Sequence, residues 1–153
     1  MKKFIALMGL LLISQLGSAM SIFDAGKVYT FSEVNLKLTK DGEPIPNAKV
    51  SRKVEWKKEK IEEAVTNGDG EVHFPAVFER SAAKFLPMEI VIAQVITVEV
   101  DGEVVKIWGN TKRDELENSE LGGRSLNLTC EITDKKQLYR DFGSMLGTIC
   151  KWD

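Results

Sequence analysis

The sequence predicts an all-β protein, a single antiparallel β-sandwich of six to eight strands with at most short helices. Three observations carry this. Short runs of residues alternate apolar and polar with a period of two, as a strand with one wet face requires. Turn dipeptides separate these runs: Asp41-Gly42, Asn67-Gly68-Asp69-Gly70 and Asp101-Gly102. Little of the chain carries a helical stripe, and many short strands with turns between them pack as two layers.

The chain opens with Met1-Lys2-Lys3, an apolar run from Phe4 to Ile13, and small or polar residues from Ser14 to Ala19. That order is the pattern of a secretory signal peptide over residues 1–19, with Gly17 and Ala19 preceding a cut before Met20. The apolar run is about ten residues, short of the roughly 20 a spanning helix needs. Residues 20–153 then form one domain.

Val34, Leu36 and Leu38 face one way, and Glu33, Asn35, Lys37 and Thr39 the other. After the Asp41-Gly42 turn, Pro44 and Pro46 predict an extended connection without ladder pairing. Ala48, Val50, Val54 and Trp56 share the next apolar face, which Arg52 interrupts. Trp56 to Lys60 reads as a charged hairpin tip, with a short strand over Glu62 to Thr66. Asn67-Gly68-Asp69-Gly70 is the strongest hairpin signal, because both dipeptides accept the positive φ of a tight turn. Val72, Phe74 and Phe78 follow on one face. Pro75 to Pro87 reads as a crossover with one helical turn at Ser81–Phe85. Ile90 to Val100 predicts a central strand, and Val104 to Trp108 its antiparallel return. Gly109 to Gly123 reads as a polar loop, and Leu126, Leu128, Cys130 and Ile132 alternate again. The tail fits either a helical stripe or a strand. Gly143 and Gly147 oppose the helix, so a short helix over 135–142 and a last strand from Met145 to Trp152 are expected.

Composition narrows the partners. Loss of Lys2 and Lys3 with the signal peptide takes the net charge from −2 to about −4, which gives no electrostatic reason to bind nucleic acid or an anionic membrane. No membrane insertion is expected once the signal is removed. The two cysteines, Cys130 and Cys150, would meet an oxidising compartment after export. One intramolecular disulfide would close a loop of about 20 residues and stabilise by about 3 kcal/mol. Two buried thiols or an intermolecular bridge are the alternatives.

Gly42-Glu43-Pro44-Ile45-Pro46-Asn47-Ala48-Lys49-Val50, followed by Thr66-Asn67-Gly68-Asp69-Gly70-Glu71-Val72-His73-Phe74, resembles the carboxypeptidase regulatory-like and transthyretin-like superfamily over residues 36–78. The resemblance implies a transthyretin-like or immunoglobulin-like sandwich and no particular activity. Phe74 to Ser81, Thr111 to Asp114 and Glu120 to Gly123 are similar to a family of small uncharacterised exported proteins of Gram-negative bacteria. That likeness implies a periplasmic setting. The hydroxyisourate hydrolases of the transthyretin-like group need two histidines, an arginine and a C-terminal Tyr-Arg-Gly-Ser. This chain has one histidine, and Tyr139-Arg140-Asp141-Phe142 departs from that ending.

The chemistry-bearing residues are sparse. One histidine and two cysteines do not make a four-ligand zinc site, and the Asn67–Gly70 turn lacks the length of an EF-hand loop. His73 alternates out of the apolar face, with no nucleophile motif beside it. No catalytic residue, metal or cofactor is expected. Asn127-Leu128-Thr129 matches a glycosylation acceptor but sits mid-strand. The 109–123 loop, with Trp108, Lys112, Arg113, Asp114 and Glu115, is the expected contact surface, because Trp and Arg are enriched where interfaces concentrate their energy. The aromatics Phe78 and Phe85 of the 74–87 crossover are expected in the core. These features predict a non-catalytic periplasmic protein-binding module, of immunity or inhibitor type, whose partner is another periplasmic or envelope protein. A small-ligand carrier or sensor and a structural envelope-associated module are the alternatives.

Overall fold

The structure is a computed structural model that describes residues 25–153. The expected signal peptide lies outside the described residues. The fold is all-β, as the alternation predicts, with thirteen strands among the described residues where six to eight are expected. The surplus comes from segments of two to four residues.

The larger sheet has six strands: β4 (Lys49–Glu55), β5 (Glu59–Val65), β8 (Ile92–Val100), β9 (Glu103–Lys112), β11 (Gln137–Tyr139) and β12 (Leu146–Thr148). Their order is β11-β12-β9-β8-β4-β5, antiparallel throughout. The second sheet is built on β2 (Val34–Lys40). One edge of β2 is shared by β6 (Glu71–Phe74) and the two-residue β3 (Glu43–Pro44). On its other side lies β10 (Leu126–Glu131), then β13 (Cys150–Trp152). The β2–β10 pairing is parallel, with Leu126 opposite Val34 and Glu131 opposite Thr39. A sandwich can place sequence-distant strands side by side in this way without a hairpin. β1 (Lys27–Phe31) and β7 (Val77–Arg80) form a separate antiparallel pair.

The alternating residues fill the space between the layers. Val34, Leu36, Leu38, Val72, Phe74, Leu126 and Leu128 come from the smaller sheet, and Val50, Val54, Ile92, Ile96, Val98 and Leu146 from the larger. Cys130 and Cys150 face each other across β10 and β13 as register partners, 4.0 Å apart at Cα, and form a disulfide.

Several local expectations change. The Asn67–Gly70 turn forms, with the Asn67 side-chain oxygen accepting the Asp69 and Glu71 amides at 3.0 and 2.9 Å. It is not a hairpin, because β5 before it and β6 after it belong to different sheets. Pro44 does pair with β2, at an edge where its missing N–H costs nothing. Thr39 is buried rather than wet, because its hydroxyl donates to Glu131 at 2.8 Å. The crossover holds β7, and its helical turn is a 3-10 turn over Ala82–Phe85, capped by Ser81. The tail forms β11, β12 and β13 and no helix over 135–142.

The change that matters most is on β9. Val105 and Ile107 point inward, so strict alternation sends Trp108, Asn110 and Lys112 outward. Trp108 instead pairs with Ile96 while Lys106 pairs with Thr97, leaving Ile107 as an extra residue. This β-bulge resets the phase. Ile107 and Trp108 are both buried, and Asn110 and Lys112 follow Trp108 into the core. β9 therefore continues to Lys112, and the loop expected from Gly109 begins only at Arg113.

Candidate functional site

The phase reset decides the fate of the residues expected to make contact. Trp108 is fully buried, and its indole N–H has no hydrogen-bond partner among the described residues. Lys112 is 1 % exposed. Neither reaches a partner, and both leave the expected surface. Arg113 is exposed and ion-paired with Glu89. The Asp114 carboxylate accepts the Leu116 amide at 2.9 Å. The carbonyl of Glu115 accepts the Tyr29 N–H at 3.0 Å, which fastens the loop to β1.

Beneath this loop lies a buried polar cluster centred on Glu120, itself in a 3-10 turn over Ser119–Leu121. Glu120 Oε1 accepts the Ser32 amide at 3.0 Å and Gln94 Nε2 at 2.8 Å, and Oε2 accepts the Ser32 hydroxyl at 2.7 Å. Lys112 Nζ stands 3.7 Å from Glu120 and from Asp114 and donates to the Leu116 carbonyl. Asn110 donates to Gln94 at 2.9 Å and accepts from Ser144 at 2.8 Å. Ser32 Oγ also accepts the Asn118 amide at 2.7 Å. A carboxylate and an ammonium can stay charged inside a sandwich only with partners of this kind. Glu120 is buried and accepts three hydrogen bonds, so the cluster anchors the 113–121 segment.

Arg52, the apparent interruption of β4, completes this interior. Its guanidinium lies between the rings of Phe31 and Phe74, with Cζ 5.2 and 4.9 Å from their centroids. It donates to Glu62 at 2.9 Å through Nε, to the Pro75 carbonyl at 2.7 Å and to the Ser32 carbonyl at 3.4 Å. Burial lowers its pKa, and the hydrogen bond and charge of Glu62 oppose that shift.

Ser32, Gln94, Asn110 and Glu120 escape the sequence reading. Gln94 alone leaves a usable trace, since it shares the parity of Ile92 and Ile96 on an apolar face, as Arg52 does on β4. Glu120 stands in a segment that carries the family resemblance, but nothing local marks it as buried, because its partners come from the β1–β2 connection, β8 and β9.

His73 lies outside this cluster, exposed on β6, with Nε2 2.7 Å from Glu33. It borders an open groove of about 440 Å³ across the outer face of the smaller sheet, lined by Asn35, Lys37, Glu71, Asn127 and Thr129 among others. Asn127, within the glycosylation-like triplet, donates no loop to the surface: it is mid-strand and accepts from Asn35 at 3.1 Å. Phe78 and Phe85, expected in the core, are 44 % and 69 % exposed. Phe78 stands on β7 of the outlying β1–β7 pair and Phe85 at the end of the 3-10 turn that follows it. Among the described residues, no three His, Cys, Asp or Glu side chains are grouped to hold a metal ion. Among them, too, no helix is long and apolar enough to cross a membrane.

The family model of a domain of unknown function, DUF6795, matches residues 34–135, from the start of β2 to just past β10. The chain belongs to the DUF6795 family. Neither the curated proteins nor the solved structures yield a match. The family match includes Gln94, Asn110, Lys112 and Glu120 of the buried cluster, together with Arg52 and the 113–118 loop.

Proposed function

We propose that the chain is a non-catalytic protein-binding module of the bacterial periplasm, whose contact surface is the loop from Arg113 to Asn118. One observation carries this reading. The loop is held at both ends by the buried Lys112–Glu120–Ser32 cluster, yet it presents Arg113, Leu116 and Glu117 to solvent. Leu116 is 59 % exposed. A loop that is already ordered loses little conformational entropy on binding, and a rigid scaffold under it is what a recognition surface needs. The Cys130–Cys150 disulfide fits folding in an oxidising compartment, and the amino-terminal sequence pattern supports export. An immunity-type or inhibitor role would use such a surface to cover a partner.

The test is crosslinking in the periplasm at native abundance, comparing the wild-type chain with Arg113→Ala and Leu116→Asp. A stoichiometric partner lost in both variants and kept in Val104→Asp, a substitution on exposed β9 surface, supports the reading. An unchanged set of crosslinked proteins, or none, overturns it. The groove beside His73 favours a second reading, a small-ligand carrier, which a thermal-shift screen with metabolites and His73→Ala would test.

A further inference from the structure

The turn after β7 ends in four consecutive residues, Phe85-Leu86-Pro87-Met88, that the fold leaves in solvent. Phe85, Leu86 and Met88 are 69 %, 52 % and 60 % exposed. Single exposed apolar residues need no explanation, but a run of them at one loop tip marks a contact. The tip is held in place: Ser81 Oγ accepts the Ala83 amide at 3.1 Å.

Cations surround the tip. Lys57 Nζ donates to Ser81 Oγ at 2.6 Å, which brings the β4–β5 hairpin tip, Trp56-Lys57-Lys58, alongside it. Arg80 and Lys84 flank it in sequence, and the Lys27 ammonium lies 4.6 Å from the Phe78 ring centroid. Of the acids on the adjoining segments, Glu59 pairs with Lys53, Glu79 with Lys60 and Glu89 with Arg113, while Glu55 stands exposed at the end of β4. Lys57, Lys58, Arg80 and Lys84 form no ion pair among the described residues. A chain that is acidic overall therefore presents a basic, apolar end.

The first described residues also lie here. Ser81 N–H donates to the Gly26 carbonyl at 2.8 Å and Arg80 Nη1 to the Ala25 carbonyl at 3.4 Å. A Cβ placed on Gly26 would lie 3.6 Å from the Phe85 ring.

We infer that this end of the sandwich docks on an anionic lipid surface. Phe85, Leu86 and Met88 enter the headgroup region, and Lys57, Lys58, Arg80 and Lys84 meet the lipid phosphates. Apolar burial and attraction to anionic headgroups act together in such docking. Trp56, half-buried with the Lys57 ammonium 4.7 Å from its ring, is of the residue type that concentrates at the membrane–water boundary. The inference is independent of the protein-binding reading, which uses the neighbouring loop.

The experiment is co-sedimentation of the full chain with vesicles of phosphatidylethanolamine and phosphatidylglycerol, and with phosphatidylcholine vesicles as the uncharged arm. Two variants are compared with wild type: Phe85→Ser/Leu86→Ser/Met88→Ser, and Lys57→Glu/Lys58→Glu. Both keep residues 1–24, so any contribution from the amino-terminal apolar run is common to all three. Each variant is expected to lower partitioning about tenfold, and wild-type binding to weaken on phosphatidylcholine and in high salt. If the serine variant loses its fold, the charge-reversed variant decides alone. Equal partitioning of wild type and the folded variants overturns the inference. So does a wild-type dimer that the serine variant dissolves, which would assign the tip to a second copy of the chain.

Discussion

Glu120 holds Ser32 at two points, accepting its backbone N–H at 3.0 Å and its hydroxyl at 2.7 Å across 88 residues of sequence. The same carboxylate accepts from Gln94 and faces the Lys112 ammonium, so one side chain ties the 119–121 turn to the β1–β2 connection, β8 and β9.

Glu120→Ala strips that centre and leaves Lys112 charged and buried with less compensation. Removing one member of a buried ion pair costs about 3–5 kcal/mol. Urea unfolding of the variant is expected to show a loss in this range, with hydrogen exchange at the Asn118 amide accelerated more than in the β4–β8 ladder. Glu120→Gln, which keeps an acceptor for Ser32, is expected to lose less. A Glu120→Ala loss under about 1 kcal/mol would mean that the cluster does not anchor the loop.

Arg52 gives a second prediction, because its burial and its partners can be separated. Arg52→Ala removes the donors to Pro75, Ser32 and Glu62 and opens a void between Phe31 and Phe74, at a cost of about 3–4 kcal/mol. Arg52→Met keeps the volume between the rings and leaves the half-exposed Glu62 carboxylate to water. Chemical denaturation is expected to place it at less than about half the alanine loss. Equal losses would show that charge, not packing, dominates at this position.

The strands of the two facing sheets were legible because each carries its own alternation: Val34-Leu36-Leu38, Ile92-Ile96-Val98 and Leu126-Leu128-Cys130 need no distant information. The parallel partnership of β2 with β10 was not, since nothing in either strand names its neighbour. Lys112 was misread for a local reason with a non-local consequence. The bulge at Ile107 has no sequence signature of the glycine type, yet it shifts every later residue of β9 to the opposite face. In the tail, the strand expected from Met145 to Trp152 forms as β12 and β13, but the helix expected over 135–142 does not, because Gln137–Tyr139 pairs with β12 and this overrides the local helical stripe. Arg113 is exposed, and its pairing with Glu89 brings in the segment after β7, which no local pattern around Arg113 announces.

Gly70 tests the Asn67–Gly70 turn as a junction between sheets. It has φ +73°, and a Cβ there would sit 2.5 Å from the Leu38 carbonyl oxygen and 3.0 Å from the Ile45 nitrogen, both backbone atoms. Gly42 has φ +82° with open space around its Cβ position. Gly42→Ala is expected to cost about 1–2 kcal/mol from the left-handed backbone alone. Gly70→Ala adds displacement of β2 from β3 and is expected to cost clearly more, read as the difference in urea midpoints of the two variants. Equal costs would show that the turn relaxes around the methyl group.

Glu131 makes stability depend on acid. Its carboxylate accepts the Gly42 amide at 3.0 Å, the Thr133 hydroxyl at 2.7 Å, the Thr39 hydroxyl at 2.8 Å and the Asp41 amide at 2.8 Å. These donors, led by Gly42 and Thr133, favour the charged form and hold its pKa down from 4.5 to about 2. The unfolded chain therefore takes up a proton on Glu131 at a higher pH than the folded chain does. The stabilisation is complete above about pH 4.5 and is lost as pH falls through about 2. Glu131→Gln is expected to be less stable than wild type at neutral pH and to show a flatter decline across this acid window. Thermal midpoints measured from pH 6 down to about 2 would show it; parallel curves for the two proteins would remove Glu131 as a source of the acid sensitivity.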